Sequence, residues 1–488
     1  MRALVVLMVI VAAGCATAPG MFEQHLAAKS ESEQACAQWY QALDRAVDEA
    51  GVRDAQYSPV PGFPYLRTDR FMASSAARAN SDTATRALAE RLLELDLEAR
   101  AIEIQNLPSW SGSRKVALSR TAECGRILLA LDLARPASRQ AMRDHAKVPD
   151  DYSTPERVFG LYAVTSYFFA RGVRNWEAET RAAFDHPPAE GAGGRVRFAP
   201  PARPALSRST VAGMLERARL DPLGQPLFTE REIELLAATY APTFDVAVTG
   251  DYDRFGELRW RRGSATPEVN AADPAVYVQR AYTRYGERVL LQLVYTLWFP
   301  ERPKNGTFDL LGGRLDGLVW RVTLAPDGEP LVYDSIHPCG CYHQFFPTPR
   351  AHARPAPDPW EEWAFVPARL PRVADGDRPV VSIDSGTHYI RQVKLVPGVD
   401  SLVRYTFRPY DELRSMMRLD GGVRSVFAAD GLVPGTERGE RFLFWPMGIA
   451  SAGAMRQWGR HATAFVGRRH FDDADLLDKR FDIEGLVE

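Results

Sequence analysis

Apolar residues along the chain change their spacing near residue 243, and that change divides the sequence into two regimes. Before it the period is helical. Cys36, Tyr40, Leu43 and Val47 recur at three- and four-residue intervals, and Gly51 follows as a stop. Between Asp82 and Pro108, Leu88, Leu92, Leu95, Ala99 and Ile102 form a stripe with Glu and Arg on the opposite face. Ser113 caps a third helix carrying Ala117, Cys124, Leu128 and Leu131, which Pro136 closes. A further apolar run over 158–169 predicts another helix. Residues 186–206 are rich in Pro, Gly and Ala without any period, so they read as a linker. Two short helices follow, the second opening on the capping-box spacing Thr229 to Glu232.

Beyond 243 the runs are short and rich in Val, Tyr, Trp and Thr. Residues 244–248, 276–282, 289–299, 318–324, 331–336, 380–383, 388–395 and 402–407 predict strands bounded by Gly, Pro and Asp. A helical insert is expected over 410–419. The pattern predicts an α+β protein: a helical N-terminal region over 31–185, the linker 186–206, and a larger, mostly antiparallel β domain over 207–488.

The first residues carry an address. Arg2 precedes the unbroken apolar run Ala3 to Ala13, too short to span a bilayer but the right length for a signal-peptide core. Ala12-Ala13-Gly14-Cys15 resembles the lipobox of bacterial lipoprotein signal peptides. The resemblance implies a signal over 1–14, cleavage before Cys15, acyl chains on Cys15, and a tether over 15–30. Ala16, rather than Asp, after the Cys implies the periplasmic face of the outer membrane. The membrane is then a partner through the lipid anchor. No later segment approaches spanning length without charges.

Composition narrows the function less. With 60 basic against 62 acidic residues, wholesale nucleic-acid binding is not expected. Lipidation of Cys15 leaves Cys36, Cys124, Cys339 and Cys341, and an oxidising compartment favours pairing. Spacing suggests a Cys36–Cys124 disulfide between two helices, with buried free thiols as the alternative. The chain has no G-x-S-x-G elbow, Walker A loop, G-x-G-x-x-G or H-E-x-x-H helix. Asp251-Tyr252-Asp253 begins like a calcium loop, but Phe255 and Arg262 stand where oxygen ligands belong, so it reads as a turn.

One cluster stands out. His337-Pro338-Cys339-Gly340-Cys341-Tyr342-His343 alternates four ligand-type side chains. Extended, it would hold His337 and His343 about 20 Å apart, too far for one metal. Pro338 and Gly340 are the residues able to fold it into a loop. Three readings compete. Thiolate and imidazole together favour a zinc or copper site on His337, Cys339, Cys341 and His343, with hydrolytic or oxidative chemistry on an envelope substrate. Cys339 and Cys341 alone predict a C-x-C thiol–disulfide pair. The third reading is a structural turn in a non-catalytic envelope assembly or binding lipoprotein. His388, oriented by Asp384 or Asp334, is the candidate catalytic base beside the thiols. Glu361 and Glu362 read as a solvent-facing loop pair, and Met447 as core.

Overall fold

The computed structural model describes residues 21–110, 112–202, 205–398 and 403–486. The signal-like segment and Cys15 lie outside the described residues. The chain divides into two compact units, one of residues 57–148 with the segment before Val52, the other of residues 149–488 with Val52–Gln56.

The first unit is helical. Its elements are α1 (Met21–Leu26), α2 (Glu31–Ala50), the hairpin β1 (Ser58–Val60) and β2 (Phe63–Thr68), α3 (Arg70–Ala76), α4 (Asp82–Asn106), α5 (Arg114–Leu133) and α6 (Pro136–His145). The expected punctuation operates. Gly51 ends α2 in the left-handed conformation and the Ser113 side chain caps α5, while α4 is capped by Ser81, which the sequence reading does not single out. Cys36 and Cys124 are joined in a disulfide that staples α2 to α5. The tether expected over 15–30 is not wholly a tether, because α1 buries His25 between Glu33 (2.5 Å) and Asp132 (2.8 Å). The Tyr65 hydroxyl donates to the same Asp132. A lone His in a small-residue stretch gives no hint of partners so distant in sequence.

The second unit begins with α7 (Thr154–Phe159) and α8 (Tyr162–Phe184), separated by Gly160 and by Leu161 at φ +50°. Helical periodicity cannot say which core a helix joins, and here the boundary falls after Val148 rather than at 185. Nor is 186–206 simply a linker, since β3 (Arg195–Ala199) pairs within a sheet. Then come α9 (Arg208–Arg217), α10 (Glu230–Tyr240) and β4 (Thr243–Ala247).

The long strands β5 (Ala275–Tyr285), β6 (Arg288–Arg302), β7 (Gly313–Leu324), β8 (Pro330–Ile336) and β9 (Gln344–Pro347) run as an antiparallel meander. The second sheet is completed by β10 (Asp377–Ile383), β11 (Ile390–Pro397) and β12 (Val403–Arg404), in the order β11-β10-β4-β3-β12. After β12 the chain leaves that sheet at buried Tyr405. It then adds β13 (Thr406–Pro409) to the free side of β5.

The apolar run in β6 is continuous because both of its faces are buried. Leu291, Leu293, Tyr295, Leu297 and Phe299 meet Phe244, Val246, Val381 and Ile383 of the other sheet. Val294 and Trp298 face opposite, into separate clusters with Phe471 and with Cys339. The second cluster is what brings the His/Cys loop against the sheet. The insert expected over 410–419 is helical only as a 3-10 turn, Tyr410–Arg414. No helix of the described residues is long and apolar enough to cross a membrane.

Candidate functional site

The His/Cys segment is the connection from β8 to β9. It folds back on itself: the His337 N–H donates to the Cys341 carbonyl (3.0 Å) and the Gly340 N–H to the His337 carbonyl (2.8 Å). The reversal needs Gly340 at φ +92° and Tyr342 at φ +64°. Arg456 pins it, with its backbone N–H on the Pro338 carbonyl (2.8 Å) and its Nε on the Cys339 carbonyl (3.2 Å). The loop expected from Pro338 and Gly340 therefore forms, and it joins the two sulfurs. Both thiols are free, Cys339 buried and Cys341 half-buried. The Cys341 thiol hydrogen-bonds to the Cys339 sulfur, which lowers the pKa of Cys339 and raises that of Cys341.

The imidazoles of this segment point to different carboxylates. His337 Nδ1 lies 3.2 Å from Asp316 on β7. His343 Nε2 lies 3.0 Å from Asp334 on β8, which also holds Arg321. Burial lowers the pKa of His343 to about 3, so the ring is neutral. The four side chains expected to converge are thus divided into a dithiol and two separate His–Asp pairs. No group of three or more His, Cys, Asp or Glu is arranged to hold a metal among the described residues.

His388 is not on a strand. It stands before β11 in a turn at φ +55° and is fully buried, its ring stacked on Phe299 at 3.8 Å. Its Nδ1 is 2.8 Å from Asp316 and its Nε2 is 3.5 Å from Asp253. Burial pushes its pKa down, but these two carboxylates outweigh that and raise it. Asp384, the expected orienting carboxylate, pairs with Arg391 instead. Asp316 also lies 3.4 Å from Arg438. The result is a buried chain Asp253–His388–Asp316–His337. The calcium-like segment is a turn as read, yet its Asp253 closes this chain and accepts the Gly386 N–H (2.7 Å) and the Ser385 hydroxyl (2.8 Å).

The dithiol opens on a cavity of about 580 Å³. Helix α8 supplies one wall. Trp176 lies 5.4 Å from Tyr342 and 5.2 Å from Phe365, and Phe169 lies 5.3 Å from Phe444. Cys339, Cys341 and Tyr342 form part of the lining, with Glu440, Glu362 and Arg469 among the few charged groups. Burial pushes Glu440 up to about 7, against Arg438 and Arg302. Burial also raises Glu362, which accepts the Phe465 and Val466 N–H groups (2.6 and 3.1 Å) beside Arg469. Glu362 is therefore no solvent-facing residue, whereas neighbouring Glu361 is exposed. Glu440 and Arg469 carry no local pattern in the sequence that marks them.

An aromatic cavity with a few convergent polar groups and perturbed acids is the form that ligand sites take. Compared with protein-family models, curated proteins and solved structures, the chain matches none.

Proposed function

We propose that the second unit takes a ligand bearing an apolar chain or ring into this cavity, and that Cys339 and Cys341 perform thiol–disulfide exchange on it. The observation that carries the reading is the pair of free thiols that one tight turn places together in the lining of an aromatic cavity. In such an exchange one sulfur, as thiolate, attacks a substrate disulfide and releases one substrate thiolate. The second sulfur then attacks the first, closing Cys339–Cys341 and releasing the other substrate thiolate. Two electrons pass to the substrate, and the two protons of the dithiol end on its thiols. Glu440, poised near neutrality, is a suitable carrier for one of them. The lipobox-like end of the first segment supports an address on the periplasmic face of the outer membrane, reached through acyl chains on Cys15.

A second reading retains zinc or copper. Paired sulfurs with Glu440 in the same lining are two soft donors and a carboxylate, the start of a metal site. His337 and His343 would have to leave Asp316 and Asp334 to complete it.

One set of measurements tests both. Thiols are titrated across a glutathione series, metal is measured by elemental analysis, and cis-parinaric acid serves as a fluorescent apolar probe. The expected result is saturable probe binding and one reversible disulfide, both altered in a Cys339→Ser/Cys341→Ser variant. Probe binding with thiols that never oxidise would leave a binding protein. About one equivalent of metal, lost in the variant, would favour the second reading.

A further inference from the structure

Exposed apolar side chains gather on and beside the helices that border the cavity. Phe159 is 80% exposed, Leu161 and Phe168 67%, and Phe442 72%, figures far above those of a covered interface. They belong to α7, its junction with α8, α8 itself and α11 (Arg441–Phe444), and α8 lies against α11 through Phe169 and Phe444 at 5.3 Å. Phe308, 91% exposed, stands on the loop whose Leu310 carbonyl accepts the Glu440 N–H (3.1 Å). Phe168 and Leu443 are shared between this surface and the cavity lining.

Around the apolar tips stand half-exposed aromatics, Tyr167 against Trp360 at 5.3 Å and Trp445 beyond α11. Three arginines flank them. Arg174 lies over Trp360 (5.3 Å) and within electrostatic reach of Glu177, Arg441 lies over Phe442 (4.8 Å), and Arg171 is one helical turn from Phe168. Apolar tips, a belt of Tyr and Trp, and guanidiniums able to meet phosphate are the successive layers of a bilayer interface.

We infer that the α7–α8 and α11 surface docks on a lipid bilayer carrying anionic headgroups, with the cavity mouth turned to the acyl region. The surface stands on these side chains and is independent of the thiol chemistry. It adds a second membrane contact to any anchor at Cys15. An acyl chain entering between Phe168 and Leu443 would pass from bilayer to cavity without crossing water.

The test is hydrogen exchange on the full chain with vesicles of phosphatidylcholine, with or without phosphatidylglycerol. Segments 156–170 and 440–446 should slow about tenfold on the anionic vesicles. A Phe159→Ser/Phe168→Ser/Phe442→Ser variant should lose that protection with an unchanged melting temperature, since the side chains are exposed. Arg171→Glu/Arg174→Glu/Arg441→Glu should lose it on anionic vesicles as well. Vesicle-bound chain with these segments still exchanging freely would overturn the inference, leaving attachment to the N-terminal segment alone. So would the same protection without lipid, accompanied by a concentration-dependent dimer in sedimentation, which would assign the surface to a second copy.

Discussion

A β-carbon on Gly340 would lie 2.3 Å from the carbonyl oxygen of Ala462, closer than carbon and oxygen ever rest. Gly340 also holds φ +92°, so its replacement is strained twice, by backbone conformation and by contact. Gly340→Ala should destabilise the second unit by at least about 2 kcal/mol and separate the Cys339 and Cys341 sulfurs. A lowered urea midpoint, together with failure to form the intramolecular disulfide, is the expected outcome. A variant with wild-type stability would show that the turn is not required.

Gly172 presents the opposite case. It lines the cavity from α8, and a β-carbon there would meet nothing within 4 Å. Gly172→Leu should gain about 0.5–1 kcal/mol of helix stability while narrowing the cavity. Parinaric acid affinity should fall about fivefold or more, on the order of 1 kcal/mol. Affinity lost without loss of stability would locate the ligand against α8.

Glu440 gives a pH signature. Its folded pKa of about 7 exceeds the ordinary 4.5 because burial disfavours the charge. The folded chain therefore keeps a proton that the unfolded chain releases. Below pH 4.5 both states hold it and nothing is lost; as pH rises towards 7 the folded state is progressively penalised, by at most about 3 kcal/mol. Glu440→Gln lacks this titration, so its stability relative to wild type should rise from pH 5 to pH 8. Urea midpoints at the two pH values measure the difference, and parallel shifts would refute the assignment.

The helical unit should respond in the same sense, through a histidine. Burial alone would depress His25, but Asp132 and Glu33 outweigh it and raise its pKa above 6.5. Its contribution is then fully present below pH 6.5 and is lost as pH rises through the raised folded value. Hydrogen-exchange protection in α2 and α5, taken relative to the intrinsic rate at each pH, should fall over that interval in wild type and not in His25→Gln.

The disulfide spans 88 residues, so its removal frees a long loop in the unfolded chain. Cys36→Ser/Cys124→Ser should cost the helical unit about 2–5 kcal/mol. The urea midpoint of its helical signal is the appropriate measure, and a cost near zero would mean that packing of α2 on α5 suffices alone.

What could be read in advance followed from local physics. Ser113 and Gly51 bound their helices where capping chemistry requires, and the strand runs of β5 to β8 sit where their composition predicts. Pro338 and Gly340 foretold a loop. The partners of its side chains were not legible, because Asp316, Asp334 and Asp253 come from other strands and turns and carry no spacing relative to 337–343. His388 reads as the start of a strand because its flank is β-rich, and nothing local signals the left-handed conformation it adopts. The cavity was invisible for a related reason. It exists only because α8, which reads as part of the helical region, packs with the β-rich unit and brings Trp176 to Tyr342.

The 23-residue helix α8 fully buries only Ala170 and Thr180. Its Phe169, Trp176 and Phe184 are only partly covered, so local opening should be governed by this helix rather than by the sheets behind it. Whatever fills the cavity supplies the packing that α8 otherwise lacks, so occupancy and helix order become reciprocal quantities. The wall of the site is thus also its sensor: a bound chain would be registered outside as a stiffened helix, at a surface some other molecule can read.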